Sequence, residues 1–410
     1  MRARILLTIL TLLVAATLAT TSTLLAQQAR APDDDPVQIL VDQLDLESYR
    51  STVRGLGEFG DRRQGTRRNR EAVDWIEAQL RSYGCLNTER VTYVYPPEQP
   101  RAPSRPSTRR IPEASLDGFK GAGPGGSTIF GTGRRPTVNR DLMAQPDERI
   151  RALNAEEPVD GERQEVYCTK IGTSRPDEMY ILGAHMDGHG VNQGTNDDGS
   201  GTALVMELAR ILSAPDVRTE RSIRFALWNN EENGGAGVRG YIAQRQELQG
   251  IEDPAGSGMY PEPRWLGMVQ HDMMMFDHGA PRADGTVSRD QRPEADVNIE
   301  FQSNSALVKE SMEFAFLFKT ANEDYATDYP AAVGPHMTNT DSTPFMDIVP
   351  SISLREGERG SQIGGGWDPH GHTPSDVFTT YSDDDFRLGL NAAQTTVAAI
   401  AQLVGATVGR

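Results

Sequence analysis

Five short segments of this 410-residue chain carry side chains that can bind a metal or move a proton. In the first, Ile181-Leu-Gly-Ala-His185-Met-Asp187-Gly-His189, an apolar run stops at a histidine. His185 suits a metal ligand there, and a carboxylate two residues on, Asp187, can accept the other ring N–H and fix the tautomer. The plainer alternative is a surface histidine, and it is preferred for His189, which lies further into the loop. In the second, Gly194-Thr-Asn196-Asp197-Asp198-Gly-Ser200-Gly201, the glycines let the backbone turn Asp197 inward, while Asp198 or Ser200 suits a helix cap. In the third, Phe225-Ala-Leu-Trp-Asn229-Asn230-Glu231-Glu232, two adjacent acids follow an apolar strand. Neighbouring side chains of extended backbone point to opposite sides. One of the two can bind metal while the other faces a substrate; a solvated acidic turn is the alternative. The fourth segment is His271-Asp272, and the fifth is Asp368-Pro-His370-Gly-His372-Thr-Pro-Ser-Asp376.

Each segment is weak alone, and the ordered set is not. Carboxylates and imidazoles without thiolates point to Zn²⁺, with Mn²⁺ or Co²⁺ as substitutes. A metal that lowers the pKa of bound water to about 7, beside a carboxylate that takes its proton, performs hydrolysis. Two such ions, ~3.5–4 Å apart, would share a bridging carboxylate.

The elements that must position these groups alternate. Apolar runs at Met179–Ala184, Ser222–Trp228, Trp265–Gln270 and Val349–Leu354 read as strands, as do Cys85–Tyr95 and Glu165–Ile171. Helical spacing marks Arg70–Tyr83, Ser200–Leu212, Asn304–Asn322 and Asp384–Val404, and a first helix starts near Asp35-Pro36. Strands separated by helices predict an α/β fold with a mostly parallel sheet covered on both faces. In open sheets of this kind sites assemble at the carboxyl ends of the strands, where these groups, each just beyond a predicted strand or in a late loop, would converge. Residues 96–161, rich in Pro, Arg, Gly and Ser, read as an insertion or lid-like excursion within a domain spanning 33–410.

Composition narrows the partners. Acidic residues outnumber basic ones 58 to 41, a net charge of −17 that repels phosphate backbones and excludes nucleic acid. Arg2 and Arg4, the apolar stretch from Ile5 to Ala19 and small residues up to Ala26 read as a signal peptide over 1–26. The expectation is a secreted or periplasmic protein with no stable membrane association after cleavage. In that setting Cys85 and Cys168 suit either a disulfide or two buried thiols. Nothing in the sequence sets an oligomeric state.

The order His-x-Asp, Asn-Asp-Asp-Gly-Ser-Gly, Glu-Glu, Asp-Met and His-Thr-Pro-Ser-Asp resembles the M28 family of co-catalytic zinc exopeptidases. The resemblance runs from about Asp42 to the C-terminus, apart from the Pro/Arg-rich excursion, and includes the twelve-residue step from His185 to Asp197. It implies a three-layer α/β/α fold whose mixed, mainly parallel central sheet has about eight strands. It also implies two zinc ions bridged by Asp197, one completed by His185 and Asp272, the other by Glu232 and His372. Glu231 would be the general base and Asp187 would orient His185. Thr340-Asp341-Ser-Thr-Pro-Phe345 resembles the family's Ser-Asp-His-x-x-Phe segment at the substrate pocket, without its histidine. Asp341 and Phe345 are therefore candidate substrate contacts. Some members carry a tyrosine just before the last histidine; here that residue is Gly371, which leaves no oxyanion partner assigned.

The activity this implies is release of a terminal residue from short peptides, with an aminopeptidase as the leading reading. A carboxypeptidase or dipeptidase needs a cation for the terminal carboxylate, and Arg355 and Arg359 follow a predicted strand where one would serve. A metal-free binding protein on the same fold should have lost ligands, and all five are present with Glu231. A one-zinc glutaminyl-cyclase-like acyltransferase is opposed by the Glu-Glu pair and by Asp197.

Overall fold

A computed structural model describes residues 35–95, 138–276, 297–336, 340–356, 368 and 370–409. The signal segment 1–26, the first part of the excursion and Arg359 lie outside the described residues.

Asp35 caps the first helix, α1 (Pro36–Asp42), and Asp45 caps a second, α2 (Leu46–Gly57), so the early helical stretch is broken in two by its own capping aspartates. Next come α3 (Arg67–Ser82), strand β1 (Thr88–Tyr95), the short α4 (Glu148–Asn154), β2 (Gly161–Lys170) and β3 (Arg175–His185). The central helix α5 (Gly201–Leu212) precedes β4 (Arg221–Trp228), α6 (Ala236–Arg245) and β5 (Arg264–His271). The chain closes with β6 (Val297–Gln302), α7 (Val308–Tyr325), β7 (Ala331–His336), β8 (Ser351–Glu356) and α8 (Asp383–Leu403). A two-stranded ribbon, Val217–Arg218 with Thr407–Val408, lies apart from the main sheet.

The eight strands form one sheet in the order β1-β2-β4-β3-β5-β8-β6-β7. Its centre, β4-β3-β5-β8, is parallel, while β1 and β2 run antiparallel at one side and β6 pairs antiparallel with β8. The sheet is mixed, as the resemblance implied, and period-two side chains give it two cores. On β3, Leu182 and Ala184 join the larger core, which includes residues of α1, α2, α3, α5, α7 and α8, while Met179 and Ile181 join the other. On β4, Ile223, Phe225 and Leu227 face the first core; Ala226 and Trp228 face the second, with Val238 and Tyr241 of α6. The layers are therefore helix, sheet, helix.

Cys85 and Cys168 form a disulfide that joins the approach to β1 to β2. Among the described residues, no helix is long and apolar enough to cross a membrane.

Candidate metal centre

Three adjacent parallel strands end flush. His185 pairs with Trp228 across β3 and β4, and Ala184 pairs with His271 across β3 and β5. The donors follow directly: His185 is the last residue of β3, Glu231 and Glu232 lie just past β4, and Asp272 is the residue after β5. Asp197 comes from the loop between β3 and α5, and His372 from the loop before α8.

These side chains form two groups, His185 with Asp197 and Asp272, and His189 with Glu232 and His372. His185 Nε2 is 3.4 Å from Asp197 Oδ1 and 3.9 Å from Asp272 Oδ1. His372 Nε2 is 2.9 Å from both Asp197 Oδ2 and Glu232 Oε2. The two oxygens of Asp197 are thus turned to different groups. Two donors on one tetrahedral zinc, each at about 2.05 Å, stand ~3.3 Å apart, so these separations are of the right size.

The five predicted donors come together, and so does a residue that the sequence left on the surface. His189 is 8% exposed and its Nε2 lies 3.0 Å from Glu232 Oε2. Its place in the loop suggested solvent; the glycine after it is the signal that could have found it. Gly190 has φ +120°, and a Cβ there would stand 2.6 Å from the His372 carbonyl, so only glycine lets the two loops meet.

Other expectations are corrected in detail. The His185 ring N–H, on Nδ1, donates to the backbone carbonyl of Asp187 at 2.8 Å, not to its carboxylate, which is 3.8 Å away. That carboxylate instead accepts from the Glu231 backbone N–H at 3.0 Å, so Asp187 positions both residues, one through its main chain. Arg355 is 2% exposed and its guanidinium donates to Asp272 Oδ1 at 3.1 Å; it is paired within the protein rather than presented to a substrate carboxylate. Phe345 is fully buried against Trp228, Tyr241 and Trp265, which makes it a core residue of the second cluster. Asp341 is also fully buried, accepting from Gln270 Nε2 at 3.3 Å. A side chain at Gly371 would stand 3.1 Å from Met273 and 3.8 Å from Asp197 Oδ2, facing the donors.

Sequence reading also missed what braces the loops. Arg62, fully buried, donates to the carbonyls of Leu56, Gly60, Met186, Gln193 and Gly194. The Asp198 carboxylate accepts from the N–H groups of His185, Gly201 and Met273, tying together the ends of β3, α5 and β5. The described part of the excursion buttresses the site. Gln145 Nε2 donates to the carbonyls of Val191 and Pro374, and Asn154 Nδ2 to that of Asn192.

The donor chemistry fits divalent ions. His189 Nε2 and Glu232 Oε1 are buried with no hydrogen-bond partner among the described residues, and several carboxylates share a buried site whose charge needs compensation. Burial works against the His372 cation, but Glu232 and Asp197 outweigh it and push its pKa up to about 10. Burial likewise opposes the His185 cation, and Asp198, Asp197, Glu231 and Asp272 reverse the direction, to well above the usual value. The site attracts positive charge strongly enough to hold protons.

A family model described as peptidase family M28 matches residues 166–388, more than half of the chain. The chain belongs to peptidase family M28. Among curated proteins, this M28 chain is 34% identical to carboxypeptidase Q of Xenopus laevis over 71 residues, 17% of this chain and 15% of that protein. It is 38% identical to the probable lipoprotein aminopeptidase LpqL of Mycobacterium tuberculosis over 81 residues, 20% of this chain and 15% of that one. The matched stretches thus span only about a seventh of those relatives. In three dimensions it resembles the aminopeptidase of Aneurinibacillus sp. strain AM-1, with TM-score 0.57 and 18% identity over 91% of this chain and 97% of that one. The zinc aminopeptidase of Bacillus subtilis gives TM-score 0.56 and 16% identity over 88% and 95%. These likenesses show the shared fold.

Proposed function

We propose that this M28 chain is an exported metallo-exopeptidase that releases the N-terminal residue of short peptides. The observation that carries the reading is the division of Asp197 between two buried histidine and carboxylate groups. His185, Asp197 and Asp272 would hold one divalent ion and Glu232 and His372 the other, with Asp197 shared. When bound, zinc ions supply Lewis acidity that polarises the scissile carbonyl and acidifies a water.

The residues of the chain do the rest. Glu232 lies within the donor group and Glu231, its neighbour, takes the proton of the attacking water and passes it to the departing amine nitrogen. Asp187 fixes the Glu231 backbone and, through its carbonyl, the His185 ring. With Gly371 next to the last histidine, no side chain at that position can stabilise the oxyanion. The surplus of carboxylates favours a free α-ammonium on the substrate, and the pairing of Arg355 with Asp272 takes up one of the two cations that could have met a terminal carboxylate. A carboxypeptidase is the second reading, favoured by the local sequence likeness to carboxypeptidase Q. The Cys85–Cys168 disulfide accords with export to an oxidising compartment.

The test is a panel of free, N-blocked and C-amidated peptides on the zinc-loaded protein. Cleavage of N-blocked but not C-amidated peptides would exclude the aminopeptidase reading. Glu231→Gln should lower kcat by ~10²–10⁴-fold while zinc content is retained; undiminished activity would remove Glu231 as the base.

A further inference from the structure

We propose that His189 is a fourth protein donor to the second metal group, so that the two ions are held unequally. One group is then closed by Asp197, His189, Glu232 and His372, and the other, His185, Asp197 and Asp272, keeps an open position. The inference rests on the two-metal reading above.

Three independent observations converge on His189. Its ring is more than nine-tenths buried, and its Nε2 carries no hydrogen bond although it stands 3.0 Å from Glu232 Oε2. The His189 and His372 rings meet edge to face at 4.7 Å between centroids, which brings a second imidazole nitrogen to the same carboxylate as His372 Nε2. The loops that carry the two histidines are also fastened together. The Asn192 amide donates to the carbonyls of His189 at 3.2 Å and Thr373 at 2.9 Å, and the Gln145 amide donates to those of Val191 and Pro374. Gly190 removes the one Cβ that would keep those loops apart. A surface histidine needs none of this. A ligand does, because a donor must be held where the ion will be.

The coordination chemistry gives the asymmetry its meaning. Four nitrogen or oxygen donors fill the tetrahedral preference of zinc, as in closed sites, whereas three leave a position for water or substrate. The ion in the His189 group is therefore the tightly held one, and the His185 group, beside Arg355, offers the exchangeable position. Orientation of Glu232 by a His189 hydrogen bond is the rival role. It predicts that a side chain able to donate such a bond will serve as well as imidazole.

The experiment is titration of the metal-free protein with zinc against a competing chelator, read as two stepwise affinities. A Co²⁺ titration, followed by absorption, reports the donor set. The wild type should take up two equivalents of unequal affinity. His189→Ala and His189→Gln should each weaken the tighter equivalent by about 10²-fold or more, since even residues that only orient a ligand cost ~10–100-fold. Added imidazole should restore part of that loss in the alanine variant. Far-ultraviolet circular dichroism checks that each variant is folded. Two equivalents bound by His189→Ala with wild-type affinities, or wild-type behaviour of His189→Gln, would overturn the assignment while leaving the two-metal reading intact. Uptake of fewer than two equivalents by the wild type would overturn the two-metal reading itself, and this one with it.

Discussion

Removal of the Cys85–Cys168 bond tests how the edge of the sheet is secured. The bond joins residues 83 apart in sequence, a ring that contains β1, the whole excursion and most of β2. On the chain-entropy relation, closing a ring of that length removes about 15 cal/mol/K from the unfolded chain, ~4.5 kcal/mol at 25 °C. The folded chain needs little help to hold the same residues, because β1 and β2 pair along eight residues from Thr88 with Cys168 to Tyr95 with Gly161. The loss should therefore appear in stability and not in the site, since Cys168 pairs with Phe225, three residues short of the end of β4. In urea, with chelator present so that metal binding adds nothing, the Cys85→Ala/Cys168→Ala variant should unfold at ~1–1.5 M lower denaturant, taking m near 3 kcal/mol/M for a chain of this size. Zinc stoichiometry should stay at the wild-type value. A stability loss below about 1 kcal/mol would refute the reasoning, by showing that the unfolded chain is no freer without the bond.

Two further outcomes follow from the charges at the centre. In the metal-free protein His372, with a pKa near 10, and His185, also raised, hold protons at neutral pH, and donors must be neutral to bind metal. Metal uptake should therefore release about two protons, and the combined affinity should fall ~100-fold for each unit of pH between 8 and 6. Calorimetry in buffers of different ionisation enthalpy measures the release; fewer than one proton would contradict it. Arg355→Met leaves the Asp272 carboxylate buried without its cation and should destabilise the metal-free protein by ~3–5 kcal/mol. The metal-loaded protein should lose less, because the bound ion replaces the missing charge. Equal losses in the two forms, measured by urea unfolding, would show that Arg355 does not act through Asp272.

The strands that carry the site were legible because they are buried on both faces and read as unbroken apolar runs; Ser222–Trp228 lies within one residue of β4. The two strands of the main sheet missing from the sequence reading have other patterns. In β6 the polar Asn298, Glu300 and Gln302 alternate with apolar residues and yet are buried, so their partners exist only in three dimensions. In β7 Gly334 and Pro335 break any periodicity, and the strand survives as the outer member of the sheet, where a missing N–H costs least. The same division holds in the site. The donors after β3, β4 and β5 could be found from strand ends, but Phe345 reads as a pocket residue until Trp228 and Trp265 are seen packed around it. Arg355 reads as a free cation until β8 is placed beside β5. His189 and Arg62 owe their roles to loops that meet only after folding.

The five hydrogen bonds donated by the Arg62 guanidinium all end on backbone carbonyls, three of them in the stretch from Met186 to Gly194. A contact of that kind registers the course of the chain and is blind to its side chains. Homologous loops held this way are free, as far as the arginine is concerned, to exchange residues between His185 and Asp197, apart from Asp187, His189, Gly190 and Asn192, which other contacts fix. They are not free to change in length, because one residue added or removed would carry the carbonyls past the guanidinium and take both donors with them. The twelve-residue step between those donors is then a ruler set by an arginine more than a hundred positions earlier.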